Sequence, residues 1–367
     1  MKKSFLFNFH SIGLCCALLF TPVGRVAHGQ LISPVLASRA DEVEQALERG
    51  FGFLIVNQKE DGSYSGEFGG SAGVVALAGM SFLAAGHTPG SDIYGSAINR
   101  CVDYVLAQQN DKGYILTSGR KDKGMYSHNI ATLFLAEVSG MLDPERDRLV
   151  RESLGEAVEV ILKAQKVKKG DVHRGGWRYG PGANDSDLSV SGWALMALRA
   201  ARLNGVQIPD EHIQDAVSYI LGNQSDRGSF GYQRPGDKHD GRVSLTGMAI
   251  LSLALSGHHD SEAVLGARNY LEQKYVDLPK EQFRLYGLYY CTQAAFQSGG
   301  RTWELIGSWL YDRYLPLQQE DGSWKSDVGG HEAESNTVAY RTSLILLSLA
   351  VPYRQLPIYQ RDETVDE

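Results

Sequence analysis

Two carboxylates stand two residues apart in the stretch HRGGWRYGPGANDSDLSVSGWALMALRAA, His173 to Ala201. Asp185 and Asp187 end a long Gly-containing connection and lead directly into an apolar run from Leu188. Carboxyl groups this close raise one another's pKa, and a carboxyl kept neutral can act as a general acid. The same residues also suit a plainer purpose. Asp is a strong helix N-cap, and both a helix N-terminus and the neighbouring Arg174 and Arg178 favour the ionised form.

Other polar residues open similar apolar runs: Tyr126 and His128, Arg242 and Ser244, Arg284 and Tyr286, Tyr340 and Arg341. Aromatic and arginine side chains are poor caps, so capping alone does not explain them. His128 joins Asp185 and Asp187 as a catalytic candidate. Trp177, Trp193, Arg242, Tyr286, Tyr290, Tyr340 and Arg341 are candidate ligand-binding residues. Most of these are aromatic, which suits an elongated apolar small molecule or a polypeptide segment.

The elements that must position these residues alternate in character. Gly69 to Gly86, GGSAGVVALAGMSFLAAG, carries no formal charge, nor does Ser244 to Gly257. A helix apolar on every side must be buried on every side. The segments between are amphipathic. In DEVEQALERGFGFLIVNQ, Val43, Ala46, Leu47, Phe51 and Leu54 recur at helical spacing among acids. A Gln, a tight turn and an exposed aromatic separate the two kinds, as in LQQEDGSWKS from Leu317 and GNQSDRGSFGY from Gly222. Marker glutamines fall at Gln58, Gln109, Gln165, Gln224, Gln273 and Gln319; the fifth copy, LEQKYVDLPKEQ, keeps the Gln and loses the Asp-Gly turn. Six hairpins with charged helices outside and apolar ones inside predict an all-α fold, an (α/α)6 toroid of two concentric rings of six helices. The inner-helix starts would then share one rim around a central cavity.

The Q-x-x-D-G-S-W pattern followed by a Gly-rich apolar helix resembles the squalene/oxidosqualene cyclase and protein prenyltransferase β-subunit superfamily, over about Asp41 to Val351. The resemblance implies that Asp185 is the first acid and Asp187 the proton donor of a class II D-x-D-D motif, whose third acid is Leu188 here. It also places Cys291 at the zinc-ligating cysteine of the prenyltransferases. Tyr289 and Arg341 occupy the positions of the other two ligands, so no metal and no cofactor are expected. The Cys-Gly-Glu-Gln of toroidal thioester domains does not occur.

Lys2, Lys3, the apolar run Phe5 to Phe20, then RVAHGQ with Ala27 and Gly29 before Gln30, follow the order of a cleaved secretory signal. An uncleaved anchor is the alternative. The expected organisation is signal 1–29, linker 30–40, toroid 41–351, and an extended strap with an acidic tail at 352–367. No other stretch is apolar for long enough to span a bilayer, so an exported protein, periplasmic or extracellular, is expected. The chain has 36 Lys and Arg against 43 Asp and Glu, which argues against nucleic acid as a partner. Cys15 and Cys16 belong to the signal. Cys101 and Cys291 read as buried free thiols, or as one bridge if the fold brings them together.

Three functions fit these residues. One is a binding toroid. The second is a proton-initiated terpenoid cyclase using Asp187, completed if necessary by a second copy in a homodimer. The third is a polysaccharide lyase or glycosidase with Asp185, Asp187, Glu332 and Glu334 across the rim and Trp177 as a sugar platform. His258 to Asp260 and His331 read as solvated turn residues.

Overall fold

The protein is described by a computed structural model covering residues 34–91, 93–117, 124–325, 337–353 and 355–359. The expected signal, Glu332, Glu334, His331 and the acidic tail from 360 lie outside the described residues. After a single turn at Pro34–Ala37, twelve helices follow among the described residues, in two classes. The outer class is α1 (Ala40–Asn57), α3 (Gly95–Ala107), α5 (Pro144–Gln165), α7 (Asp210–Leu221), α9 (Glu262–Lys274) and α11 (Gly300–Tyr314). The inner class is α2 (Ala72–Ala84), α4 (Met125–Val138), α6 (Leu188–Leu203), α8 (Val243–Ala254), α10 (Arg284–Ser298) and α12 (Val338–Leu349).

The sequence accounts for the division. All of α2 is buried, whereas α1 buries Val43, Ala46, Leu47, Phe51 and Leu54 and leaves its acids in water. Consecutive inner helices pack on one another around the whole ring, and α12 returns to α2. The approach is close where a side chain is missing: a Cβ on Gly247 of α8 would lie 2.6 Å from Cys291 Sγ of α10. Both Cys101 and Cys291 are buried and free. No helix among the described residues is long and apolar enough to cross a membrane.

The turns between outer and inner helices share one design. The side-chain amide of Gln58 donates to the carbonyls of Gly62, in its own turn, and Ala97, on the next outer helix. Gln109 does the same with Gly113 and Ser153, Gln165 with Gly175 and His212, and Gln224 with Gly228 and Ala263. In the last turn the residue that does this is Gln318, bonded to Gly322 and Ala46, and not the expected Gln319. Because Ala46 belongs to α1, this bond joins the end of the ring to its beginning. Gly322, at φ +87, lies so close to α1 that a Cβ there would sit 2.1 Å from the Arg49 carbonyl oxygen. Gln273 is exposed at the end of α9 and makes no such bond; there a helical turn at Tyr275–Lys280 leads into α10.

The turn aromatics are not exposed, contrary to expectation. Tyr64, Trp177, Phe230 and Trp324 are all buried, with Ile115 in the equivalent place of the second turn. The Trp177 indole donates to the Ile161 carbonyl at 2.7 Å, and Trp324 donates to that of Tyr314 at 2.7 Å. Each acceptor lies four residues before its marker Gln, so both rings lie back along the outer helix and cover the turn from within.

After α12 the chain lies across the C-terminal ends of the inner helices. Gln355 sits beside Gly86, just past α2. Leu356 and Ile358 are buried, the Ile358 N–H approaches Glu137 Oε2 at 3.5 Å near the end of α4, and Pro357–Tyr359 packs on α6. Among the described residues, the opposite end of the ring, at the inner-helix N-termini, leads into a cavity.

Candidate functional site

A cavity of about 1080 Å³ opens at that end. Its walls come from the first turns of the inner helices. Tyr126, Ser189 and Ser244 line it at the second residue of α4, α6 and α8, with Tyr286 and Tyr340 at the third residue of α10 and α12. One helical turn deeper lie Leu77, Ile130, Trp193 and Leu344. This is the periodicity of a single face per helix, so the apolar inner helices necessarily offer apolar side chains toward the axis.

The aromatic residues form a connected set. Tyr126 stacks on Tyr179 with centroids 6.1 Å apart, and its hydroxyl donates to that of Tyr286 at 3.3 Å. Trp193 lies parallel to Tyr289 at 5.6 Å. Tyr290 does not line the cavity; it sits beneath Tyr286, with ring centroids 4.6 Å apart. Burial raises the Tyr126 and Tyr286 hydroxyls well above the ordinary phenol range, and neighbouring tyrosines and Asp187 add to the effect. These phenols stay neutral and serve as hydrogen-bonding edges on an apolar wall.

The three expected catalytic residues are placed elsewhere. Asp187 is fully buried at the N-cap of α6. Its Oδ1 accepts the Ser189 hydroxyl at 2.6 Å and the Val190 N–H at 2.9 Å, and its Oδ2 accepts Arg178 Nη1 at 2.6 Å. Burial pushes its carboxyl up, while Ser189, Val190 and Arg178 pull it down. Arg178 is itself fixed. Its guanidinium lies 4.3 Å over the Tyr179 ring, donates to the Tyr232 hydroxyl at 2.6 Å, and pairs with Asp185 at 3.2 Å. Burial opposes the Arg178 charge, yet Asp187 holds it above the ordinary range. With both carboxylate oxygens occupied and no exposed surface, Asp187 presents nothing to the cavity. Asp185 lies outside it, sharing Arg178 and Gln233.

His128 is also removed from the cavity. Its Nδ1 accepts the Ile115 N–H at 3.1 Å, which leaves Nε2–H to donate to the Ala157 carbonyl at 3.0 Å. It is the fourth residue of α4. The fourth residue of α6, Ser191, accepts the Trp177 N–H at 2.9 Å, and that of α8, Thr246, accepts the Phe230 N–H at 3.4 Å. The fourth residue of α12, Arg341, donates its Nε to the Trp324 carbonyl at 2.7 Å. All four positions tie an inner helix to the turn before it. His128 and Arg341 are therefore turn anchors rather than site residues, and Trp177 is the turn aromatic of the third hairpin.

Arg242, Trp193, Tyr286 and Tyr340 line the cavity. Sequence reasoning did not single out His173, Tyr179, Tyr232 or Phe283, nor the loop residues Gln233, Arg234, Asp237, Lys238 and His239 ahead of Arg242, all of which line it as well. The signal for that loop was its charge density, RPGDKHDGR within nine residues. Cys291 lies in the core against α8, donating to the Val243 carbonyl at 3.4 Å.

No family model and no curated protein matches this sequence. Solved structures do match, and they are toroids. The apo type II terpene cyclase MstE from Scytonema superposes with a TM-score of 0.56 at 14% identity, covering 86% of this chain and 99% of its own. An inactive variant of the α-1,6-mannanase GH76A of Salegentibacter, solved with α-1,6-mannotetrose, gives 0.59 at 10% identity over 85% and 98%. A form of MstE holding geranylgeranyl dihydroxybenzoate gives 0.51 at 14% identity over 88% and 100%. At such identities the likeness establishes the fold and nothing finer.

Proposed function

We propose that this chain is a ligand-holding toroid of the terpenoid-cyclase type that takes an elongated apolar molecule, such as an isoprenoid, into its central cavity. The observation that carries the reading is an open aromatic and aliphatic cavity beside a sealed acid. At about 1080 Å³ the space is at the upper end of small-molecule sites. Leu77, Ile130, Trp193 and Leu344 supply the apolar contact, with Tyr126, Tyr286 and Tyr340 as edges. The residue that a cyclase would use to protonate an alkene, Asp187, is engaged at both oxygens.

The glycosidase alternative draws less support. Among the described lining residues the single carboxylate is Asp237, whose oxygens accept backbone N–H groups, so no facing acid pair is present there. The order of residues 2–29 supports export, and we place the activity outside the cytoplasm on that ground.

The test is extraction of the purified protein with organic solvent after incubation with a mixture of long-chain isoprenoids, followed by mass spectrometry. A retained apolar molecule approaching one per chain is the expected result. Complete absence of one would contradict the proposal.

A further inference from the structure

Three cations gather at the mouth of the cavity, with Asp237 as the single carboxylate among the described lining residues. Arg234, Lys238 and Arg242 all line it, from the one loop that leads into α8. The chain as a whole is acidic, with 43 Asp and Glu against 36 Lys and Arg, so this concentration runs against composition. Arg178, a further cation of the wall, is matched by Asp187 and Asp185. Arg234, Lys238 and Arg242 make no ion pair among the described residues.

The acids of the same loop are engaged in folding it. Asp237 accepts the N–H groups of Gln233 and His239, each at 2.8 Å. Asp240 accepts the Ser229 hydroxyl at 2.6 Å and the Gly236 N–H at 3.1 Å. Partial burial works to raise the Asp237 carboxyl, but these backbone donors hold it below the usual carboxylate range. The loop is thus braced by its carboxylates while its cations stand on the cavity side. Beneath them the wall changes to Leu245, Trp193 and Tyr286.

We infer that the ligand is an amphiphile whose anionic head group, a carboxylate or a phosphate, is held at the mouth by Arg234, Lys238 and Arg242 while its chain occupies the apolar depth. This rests on the apolar-cavity reading above and adds the head group to it. Guanidinium groups match the geometry of carboxylate and phosphate oxygens, and a cleft with low-dielectric walls concentrates the field of its cations. Arg234 and Lys238 are exposed, so their pull is moderate and falls with salt.

The experiment titrates the full chain with oleate, oleyl phosphate and oleyl alcohol, each below its aggregation limit, by isothermal calorimetry. Either anion should bind about tenfold more tightly than the alcohol at low ionic strength, and the gap should narrow at high ionic strength. A preference for one anion supports the inference and identifies the head group. In Lys238→Gln/Arg242→Gln the anions should lose about tenfold while the alcohol is unchanged. Arg234→Gln, on an exposed part of the loop, gives an independent variant with the same direction. Equal affinities for all three compounds would overturn the head-group inference and leave the apolar reading standing. Failure of all three to bind would overturn both.

Discussion

Arg178 Nη1 lies 2.6 Å from Asp187 Oδ2, and the carboxylate it meets has no exposed surface. The pair joins the long third turn to the start of α6 and closes the wall behind Tyr179 and Tyr232. Removing Asp187 takes away the buried acceptor of Arg178 and the N-cap of α6, although Arg178 keeps Asp185 and Tyr232. Asp187→Ala is therefore expected to destabilise the protein by roughly 2–4 kcal/mol in urea unfolding, through loss of the ion pair and the cap together. Its folded fraction should still bind the ligand. Unchanged stability would return Asp187 to the list of acids held ready for chemistry.

Gln318 closes the ring through the Ala46 carbonyl at 2.8 Å, and its amide oxygen accepts Arg49 Nε at 3.0 Å. Gln318→Ala should cost about 1–3 kcal/mol of unfolding free energy, since it removes several partly buried bonds at once. Gln273→Ala, at the exposed end of α9, should change stability by less than about 0.5 kcal/mol. Matched chemical denaturation of the two variants checks the contrast. Equal effects would deny that the Gln–turn contact is a closure device.

Two glycines should respond to alanine with opposite signs. At Gly322 the backbone is left-handed and a Cβ would meet the Arg49 carbonyl, so Gly322→Ala should destabilise by about 2 kcal/mol or more. At Gly155, inside α5, a Cβ meets nothing within 4 Å. Gly155→Ala should stabilise by about 0.5–1 kcal/mol through helix propensity. Thermal melts of both variants read the signs directly.

His128 makes stability depend on pH on the acid side. Burial pushes its pKa down to about 4, with the Ala157 carbonyl acting weakly the other way. The unfolded imidazole titrates near 6.5, so from about pH 6.5 down to 4 the unfolded chain takes up a proton that the folded chain refuses. The contribution is complete above pH 6.5 and is lost as pH falls through the folded value, for a total of roughly 3 kcal/mol. His128→Gln should flatten that part of the profile, narrowing its stability gap to the parent as pH falls. Urea midpoints at about pH 7 and about pH 4.5 for both proteins measure the effect; a gap that stays constant would mean that His128 is not held neutral.

The rings were legible because their cause is local. A charge-free run such as Gly69 to Gly86 has nowhere to go but inside, and the acids of α1 mark the wet face. The marker glutamines were legible too, but Gln318 and Gln319 cannot be told apart by composition, since only the turn geometry decides which amide reaches Ala46. The site was less legible for a related reason. His128, Arg341 and Trp177 are chemically suited to a cavity, yet the fourth residue of an inner helix, as His128 and Arg341 are, points to the preceding turn rather than to the axis, and Trp177 is a turn aromatic laid back on the outer helix. The second and third residues point inward, which is why Tyr126, Tyr286 and Tyr340 reach the cavity. The loop ahead of Arg242 escaped because its folding depends on Asp237 and Asp240 bonding to backbone, which no periodic pattern announces.

The most direct measurement is energy transfer from the protein's tryptophans to a polyene lipid, titrated into the parent chain and into Leu77→Trp/Leu344→Trp, which fills the cavity from two walls. Circular dichroism confirms that both are folded. Saturable transfer in the parent, weakened by about tenfold or more in the filled variant, is what a ligand seated among Trp193, Tyr286 and Ile130 requires. Identical titration curves for the two proteins would place the lipid somewhere other than the centre of the ring.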